Sequence, residues 1–210
     1  MAQQREAAAA APKKRQARGE RRIAEILTAA GQVFAESGYS ATTTNAIAAR
    51  AGVSPGTLYQ YFPNKEAIAD ALAERYGAQL DELQNLLAVP DPASVSLTDL
   101  VGRALDPMLA FHVENPACTV LFAGPDVPQW LADLHAPLHA SMLARVEAFI
   151  ALLAPGLPAD DLRRSAEVTV GAFKGLLLPL MAADEQERPA VQAEIGRLFI
   201  GYFTSLTGRR

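Results

Sequence analysis

Between Gly38 and Lys65 the chain stops and restarts a helix three times, and this punctuation constrains the fold more tightly than any other feature of the sequence. Upstream, from Glu20, the apolar residues Ile23, Ile26, Leu27, Ala30, Val33 and Phe34 recur at helical spacing, and Gly38 follows as a stop. Of Thr42, Thr43 and Thr44, Thr43 is best placed to cap a second helix, whose Ile47, Ala48 and Ala51 share one face before Gly52 ends it. Ser54 caps again, and Pro55 takes the first helical position, where its missing N–H costs nothing. The third helix is predicted to run to Phe62, ahead of Pro63, and Asn64 opens a long fourth from Lys65 to about Val89.

Two short helices joined by Ala51-Gly52-Val53-Ser54 make a helix-turn-helix: the glycine accepts the left-handed backbone of the turn, and Val53 is expected to bury between the helices. In such a unit the second helix enters the major groove with its N-terminal residues at base edges. Pro55-Gly56-Thr57 strips that end of bulk, while Tyr59, Gln60 and Tyr61 supply two phenols and an amide able to pair with adenine. Charge agrees. The net charge is −4, yet residues 1–65 hold nine Lys/Arg against four Glu, and the remainder holds ten against nineteen acids. A basic end on an acidic body suits a protein that presents one end to a polyanion.

The stretch Thr42 to Glu66, reading TTTNAIAARAGVSPGTLYQYFPNKE, resembles the signature of the TetR family of repressors, within a likeness covering about Arg21 to Leu72. One position departs: Ala46 stands where members often carry an acid, so the capping box of the second helix is absent. The resemblance implies a homodimeric transcriptional repressor, with DNA contacts from Thr43, Thr44, Asn45, Ser54, Pro55, Gly56, Thr57, Tyr59, Gln60, Tyr61 and Lys65. Lys65 is expected on phosphate, and Leu58 and Phe62 in the three-helix core.

Beyond Pro90 and Pro92 no two-residue alternation appears, so the fold class is all-α. Helices are predicted at about 97–114 with a kink at Pro107, 119–122, 127–153 disturbed at Pro137, 160–181 and 189–206. Three parts follow: a flexible basic arm over 1–19, a helix-turn-helix DNA-binding domain over 20–66, and a helical effector-binding and dimerisation domain over 67–210. The last two helices are expected to form the dimer interface through Val191, Ile195, Leu198, Tyr202 and Leu206. Gly171, Gly175, Gly196 and Gly201 are read as allowing close helix approach. Phe111, His112, Phe122, Trp130, His135, His139 and Phe173 are candidates to line a cavity for an apolar or aromatic effector.

Other chemistries find little support. Gly52-Val53-Ser54-Pro55-Gly56 matches the G-x-S-x-G nucleophile pattern, but that pattern needs a strand-to-helix elbow. His135 and His139 stand four apart with Asp133 nearby, yet no second cluster completes a metal site, so neither metal nor cofactor is expected. Cys118 sits among Val120, Leu121 and Phe122 as an inert thiol, and a lone cysteine suits a reducing cytoplasm. No apolar stretch reaches the roughly 20 residues that cross a bilayer, so a soluble protein is expected. A hydrolase built on Ser54 or the histidines lacks an assembled nucleophile, base and orienter, so an enzyme is not expected. A DNA binder without an effector would leave a 145-residue C-terminal body larger than dimerisation needs.

Overall fold

Helices begin and end where local capping chemistry puts them. The computed structural model describes residues 2–85, 95–124 and 126–208, with side chains from residue 16 to 83 and through the later two segments. Among the described residues there are ten helices and no strand, in two units, Met1–Ala73 and Glu74–Arg210.

The first unit holds α1 (Ala2–Ala41), α2 (Thr44–Arg50), α3 (Pro55–Tyr59) and the start of α4 (Lys65–Asn85). Thr43 Oγ1 accepts from the Ala46 N–H at 3.1 Å, Ser54 Oγ from the Thr57 N–H at 3.1 Å, and Asn64 Oδ1 from the Ala67 N–H at 2.8 Å. Each bond satisfies an amide that a helix start otherwise leaves open. α1 breaks at Gly38, whose φ of 74° is costly for any residue with a Cβ. Ile26, Phe34, Ile47, Leu58 and Ile68 are fully buried and form the small core, each contributing about 1.5–3 kcal/mol by leaving water. The unit extends to Ala73 because Ile68, Ala69 and Leu72 of α4 are buried in it. The stretch before Glu20, expected as an arm without regular structure, is helical backbone from Ala2 onward. Alanine, glutamine, lysine and arginine are strong helix formers, and propensity decides where no apolar pattern competes. The expected extension of the fourth helix to Val89 lies outside the described residues.

The second unit holds the rest of α4, then α5 (Leu97–Glu114), α6 (Pro116–Phe122), α7 (Gln129–Leu134), α8 (Ala136–Leu153), α9 (Ala159–Ala182) and α10 (Arg188–Thr207). Its core joins Leu100, Leu105 and Leu109 of α5, Ile150 of α8, Leu177 of α9, and Ile195, Phe199 and Phe203 of α10. The single helix predicted over 127–153 is two, parted at His135, and Pro137 lies in the first turn of α8. A proline there cannot donate back to the preceding turn, so the chain starts a new helix instead of kinking an old one. For the same reason α6 starts at Pro116 and not near Thr119. α8 and α9 are long and apolar enough to cross a membrane by length and composition, where none was expected, but such helices also occur as core helices and these contribute Ile150, Leu153 and Leu177 to the core.

His112 of α5 is 4% exposed, with Nδ1 3.0 Å from Thr119 Oγ1 of α6. Burial disfavours the charged ring and holds its pKa down at about 4, against an ordinary 6.5. In the unfolded chain the ring takes up a proton near pH 6.5, whereas the folded protein resists until about 4. The neutral ring's contribution is therefore complete above 6.5 and lost as pH falls to about 4, on the order of 3 kcal/mol. His112→Asn keeps an amide near Thr119 but does not titrate, so the fall in Tm between pH 6.5 and 4 should be smaller than in the parent protein. Equal pH slopes would remove His112 as the cause.

Candidate nucleic-acid interface

The turn between α2 and α3 uses Gly52 at φ 65°, and the adjacent Val53 is half-buried between the two helices. This places Leu58 at 0% and Phe62 at 7% exposure inside, while Thr43, Asn45, Ser54, Pro55, Gly56, Tyr59, Gln60 and Tyr61 stand exposed. Thr44, Thr57 and Lys65 are half-buried. The hydroxyls are ordered by one another: Ser54 Oγ lies 2.9 Å from Thr57 Oγ1, and Thr44 Oγ1 lies 3.0 Å from the Tyr59 phenol. Tyr59 thus ties the start of α2 to the end of α3. At Gly56 a Cβ would meet nothing nearer than Ser54 Oγ at 3.9 Å. The protein's own packing therefore does not require glycine there, and what its bareness permits is close approach from outside.

Three contacts escaped sequence reasoning. Thr42, buried at 3%, donates its hydroxyl to the Gly38 carbonyl at 2.6 Å, closing the end of α1. Arg50 holds Glu36 in a two-pronged pair at 2.9 and 2.6 Å, which lowers the Glu36 pKa. Lys65 donates to the Tyr39 carbonyl at 2.9 Å and the Ser40 carbonyl at 3.3 Å, with its ammonium 4.5 Å from the Tyr39 ring centre. Lys65, expected on phosphate, serves the end of α1 with two of its donors and keeps one N–H for such a contact. The Tyr39 phenol is pushed up to about 12, chiefly by burial and then by Glu66, whose carboxylate accepts from it at 3.4 Å.

The seven effector candidates fall into separate groups within the second unit. Phe111, His112 and Phe173 come together: the His112 ring lies edge-on to Phe111 at 5.9 Å and to Phe173 at 5.7 Å, and Tyr76 joins at 6.1 Å from Phe111. Phe122 and His135 form a second pair at 4.7 Å, while Trp130 and His139 are exposed. A distinct cleft of about 430 Å³ runs between α5 and α10, floored by Val101, Leu105, Leu109 and Ile200 with Asp106 and Gln192 among its walls. No effector candidate lines it. Cys118 is fully buried, which pushes its thiol well above the usual range and keeps it unreactive. Among the described residues no three His, Cys, Asp or Glu side chains group as a metal site.

On α9 and α10 one face carries exposed apolar residues: Val168 (57%), Leu178 (48%) and Leu198 (49%), with Gly171, Gly175 and Gly201 exposed among them. Ile195, expected in the dimer interface, is corrected: it is 2% exposed and belongs to the protomer core with Phe199 and Phe203. The stripe of α10 is wider than one interface, so its inner edge packs at home, and Val191, Tyr202 and Leu206 lie partly buried beside it.

Residues 26–72 match the model of bacterial regulatory proteins of the tetR family, and residues 95–206 match that of the tetracyclin repressor-like C-terminal domain. The chain is 30% identical over 113 residues to the nucleoid occlusion factor SlmA of Glaesserella parasuis serovar 5, covering 54% of this chain and 53% of that protein. It is 41% identical over 89 residues to the fatty acid metabolism regulator protein of Bacillus subtilis strain 168, covering 42% of this chain and 46% of that protein. The chain thus matches about half the length of these relatives. A TetR-like transcriptional regulator from Rhodococcus sp. RHA1 has the same fold, with a TM-score of 0.68, 23% identity and coverage of 90% of this chain and 97% of the other. With one family model spanning the reader and a second spanning more than half of the chain, this protein belongs to the TetR family of helix-turn-helix transcriptional regulators, which are DNA-binding and not enzymatic.

Proposed function

We propose that the protein is a ligand-responsive repressor that binds a palindromic operator as a homodimer and leaves it when a small apolar or aromatic effector binds. The observation that carries this reading is the exposed end of α3, where Ser54, Pro55 and Gly56 leave the backbone bare and Gln60 and Tyr61 stand open beside it. Thr43, Thr44, Asn45, Thr57 and Tyr59 complete the proposed contact set, and Lys65 holds α1 in place behind it. The aromatic group of Tyr76, Phe111, His112 and Phe173 supports an effector with an apolar body, since its ring faces are apolar and its two polar points, the Tyr76 phenol and the neutral His112 imidazole, carry no charge. The exposed face of Val168, Leu178 and Leu198 supports a dimer through α9 and α10, with the glycines admitting a close neighbour.

Gly56→Ala separates folding from DNA binding. The added methyl has room and favours helix, so thermal stability should rise by about 0.5–1 kcal/mol. Operator affinity should fall by about 1–3 kcal/mol as the methyl meets DNA. Unchanged affinity in a binding titration would mean that this surface does not approach the duplex.

The dimer is tested at exposed positions, so folding is spared. Leu178→Glu combined with Leu198→Glu should give a monomer by sedimentation at micromolar concentration, with an unchanged circular dichroism spectrum and much weaker operator binding. A parent protein that sediments as a monomer would end the dimer reading.

The switch is tested by reciprocity. A ligand relieves the operator only if it binds the DNA-free form more tightly, so coupling is a difference of affinities. For the best aromatic or alkyl compound from a thermal-shift panel, operator DNA should weaken binding by the same factor, about 5 to 150, by which the compound weakens operator binding. Equal compound affinity with and without DNA would exclude this mechanism.

A further inference from the structure

The first unit spreads its charge unevenly. Residues 23–65 hold two basic side chains, Arg50 and Lys65, against Glu25 and Glu36, so the helix-turn-helix is neutral. Residues 1–22 hold seven Lys/Arg against Glu6 and Glu20. Both cations of the reader are already engaged: Arg50 in its two-pronged pair with Glu36, and Lys65 on the carbonyls of Tyr39 and Ser40. A closed ion pair brings no net charge to a polyanion, and a lysine holding two carbonyls has one donor left.

The basic run lies on α1, which is helical through it. At about 100° per residue, Arg18, Arg21 and Arg22 fall within about 100° of one another round the helix axis. Arg18 is exposed, and the Arg21 side chain is 83% exposed. Arg21 and Arg22 share a single carboxylate, Glu25, at 3.1 and 2.9 Å, and exposed pairs of this kind exchange readily for other anions. From Arg18 to Arg22 the stripe spans about 6 Å of helix, and a duplex presents one charge per ~1.7 Å of its axis.

We propose that this stripe of α1 is a sequence-independent binding surface for the DNA backbone, and that it, and not the helix-turn-helix, supplies most of the salt-dependent affinity. The proposal rests on the operator-binding reading above but fails separately from it. Each phosphate neutralised releases a condensed counterion and steepens the plot of log affinity against log salt by about 0.9.

The test uses the full chain and a mixed-sequence duplex of about 30 base pairs, titrated by fluorescence anisotropy between about 50 and 200 mM KCl. Arg18→Gln with Arg21→Gln, both at exposed positions, should make the slope shallower by about 2 per bound head. Across that range the parent should then lose about tenfold more affinity than the variant does. Arg50→Gln paired with Glu36→Gln, which removes a closed ion pair outside the stripe and outside the proposed contact set, should leave the slope unchanged. An unchanged slope in the α1 variant, or an equally shallow one in the Arg50 and Glu36 variant, overturns the proposal, as does tighter binding of the protein to phosphatidylglycerol vesicles than to the duplex at equal salt. If the parent enriches no sequence from a random duplex pool yet shows the α1-dependent slope, the operator reading falls and the stripe stands.

Discussion

Where α1 ends, three backbone carbonyls lose their helical partners, and the arrangement of the reading head follows from how they are satisfied. A helix terminus leaves such acceptors open, and burying them unmet is costly. Here the Gly38 carbonyl takes the Thr42 hydroxyl, and those of Tyr39 and Ser40 share the Lys65 ammonium. Thr42 lies immediately before the cap of α2, and Lys65 is the first residue of α4, so the same two side chains position both helices against α1. The Tyr39 ring stacks on Phe34 at 5.7 Å and faces Lys65 on its other side, which welds the joint to the core. α3 then hangs between α2 and α4, anchored by Leu58 and by the hydroxyl contact from Thr44 to Tyr59.

What was legible in the sequence is what local chemistry decides. Thr43, Ser54 and Asn64 cap the helices that follow them because each bond spans three residues of chain. The start of α3 is open for the same local reason, since Pro55 fixes its own φ and Gly56 carries no side chain. The two carbonyls that Lys65 holds were not legible because they lie 25 and 26 residues back, a separation that no spacing rule reaches. Its neighbourhood beside the recognition helix suggested phosphate, but nothing in the local sequence shows that the end of α1 is nearer.

In the second unit periodicity identified the helices but not the direction each face looks. α10 carries apolar residues round so much of its surface that the sequence assigns Ile195 and Leu198 to one stripe, whereas one is 2% exposed and the other 49%. Gly196 was read as permitting a close helix neighbour, yet it lines the cleft between α5 and α10, where an added Cβ would meet nothing within 4 Å. A missing side chain admits a neighbouring helix or opens a gap with equal ease, and only the positions of the flanking residues decide which. Phe111, His112 and Phe173 come together because large rings on core helices have few other places to go.

A neutral reader beside a basic α1 separates how tightly DNA is held from which DNA is chosen. Counterion release is the same for every sequence, so it cancels from the ratio of operator to non-operator binding. The base contacts proposed for Gln60 and its neighbours would not cancel, and with Arg50 and Lys65 already satisfied they would act with little background from the reader's own charge. On the proposal made for α1, its phosphate contacts set the residence of the protein on bulk DNA, while the exposed end of α3 sets where it stops. Because the two terms sit on different residues, salt shifts the first and leaves the second nearly intact. An organism could therefore retune overall affinity by substitutions along Arg18 to Arg22 without redesigning the operator. A reader that carried both terms on the same side chains would not have that freedom.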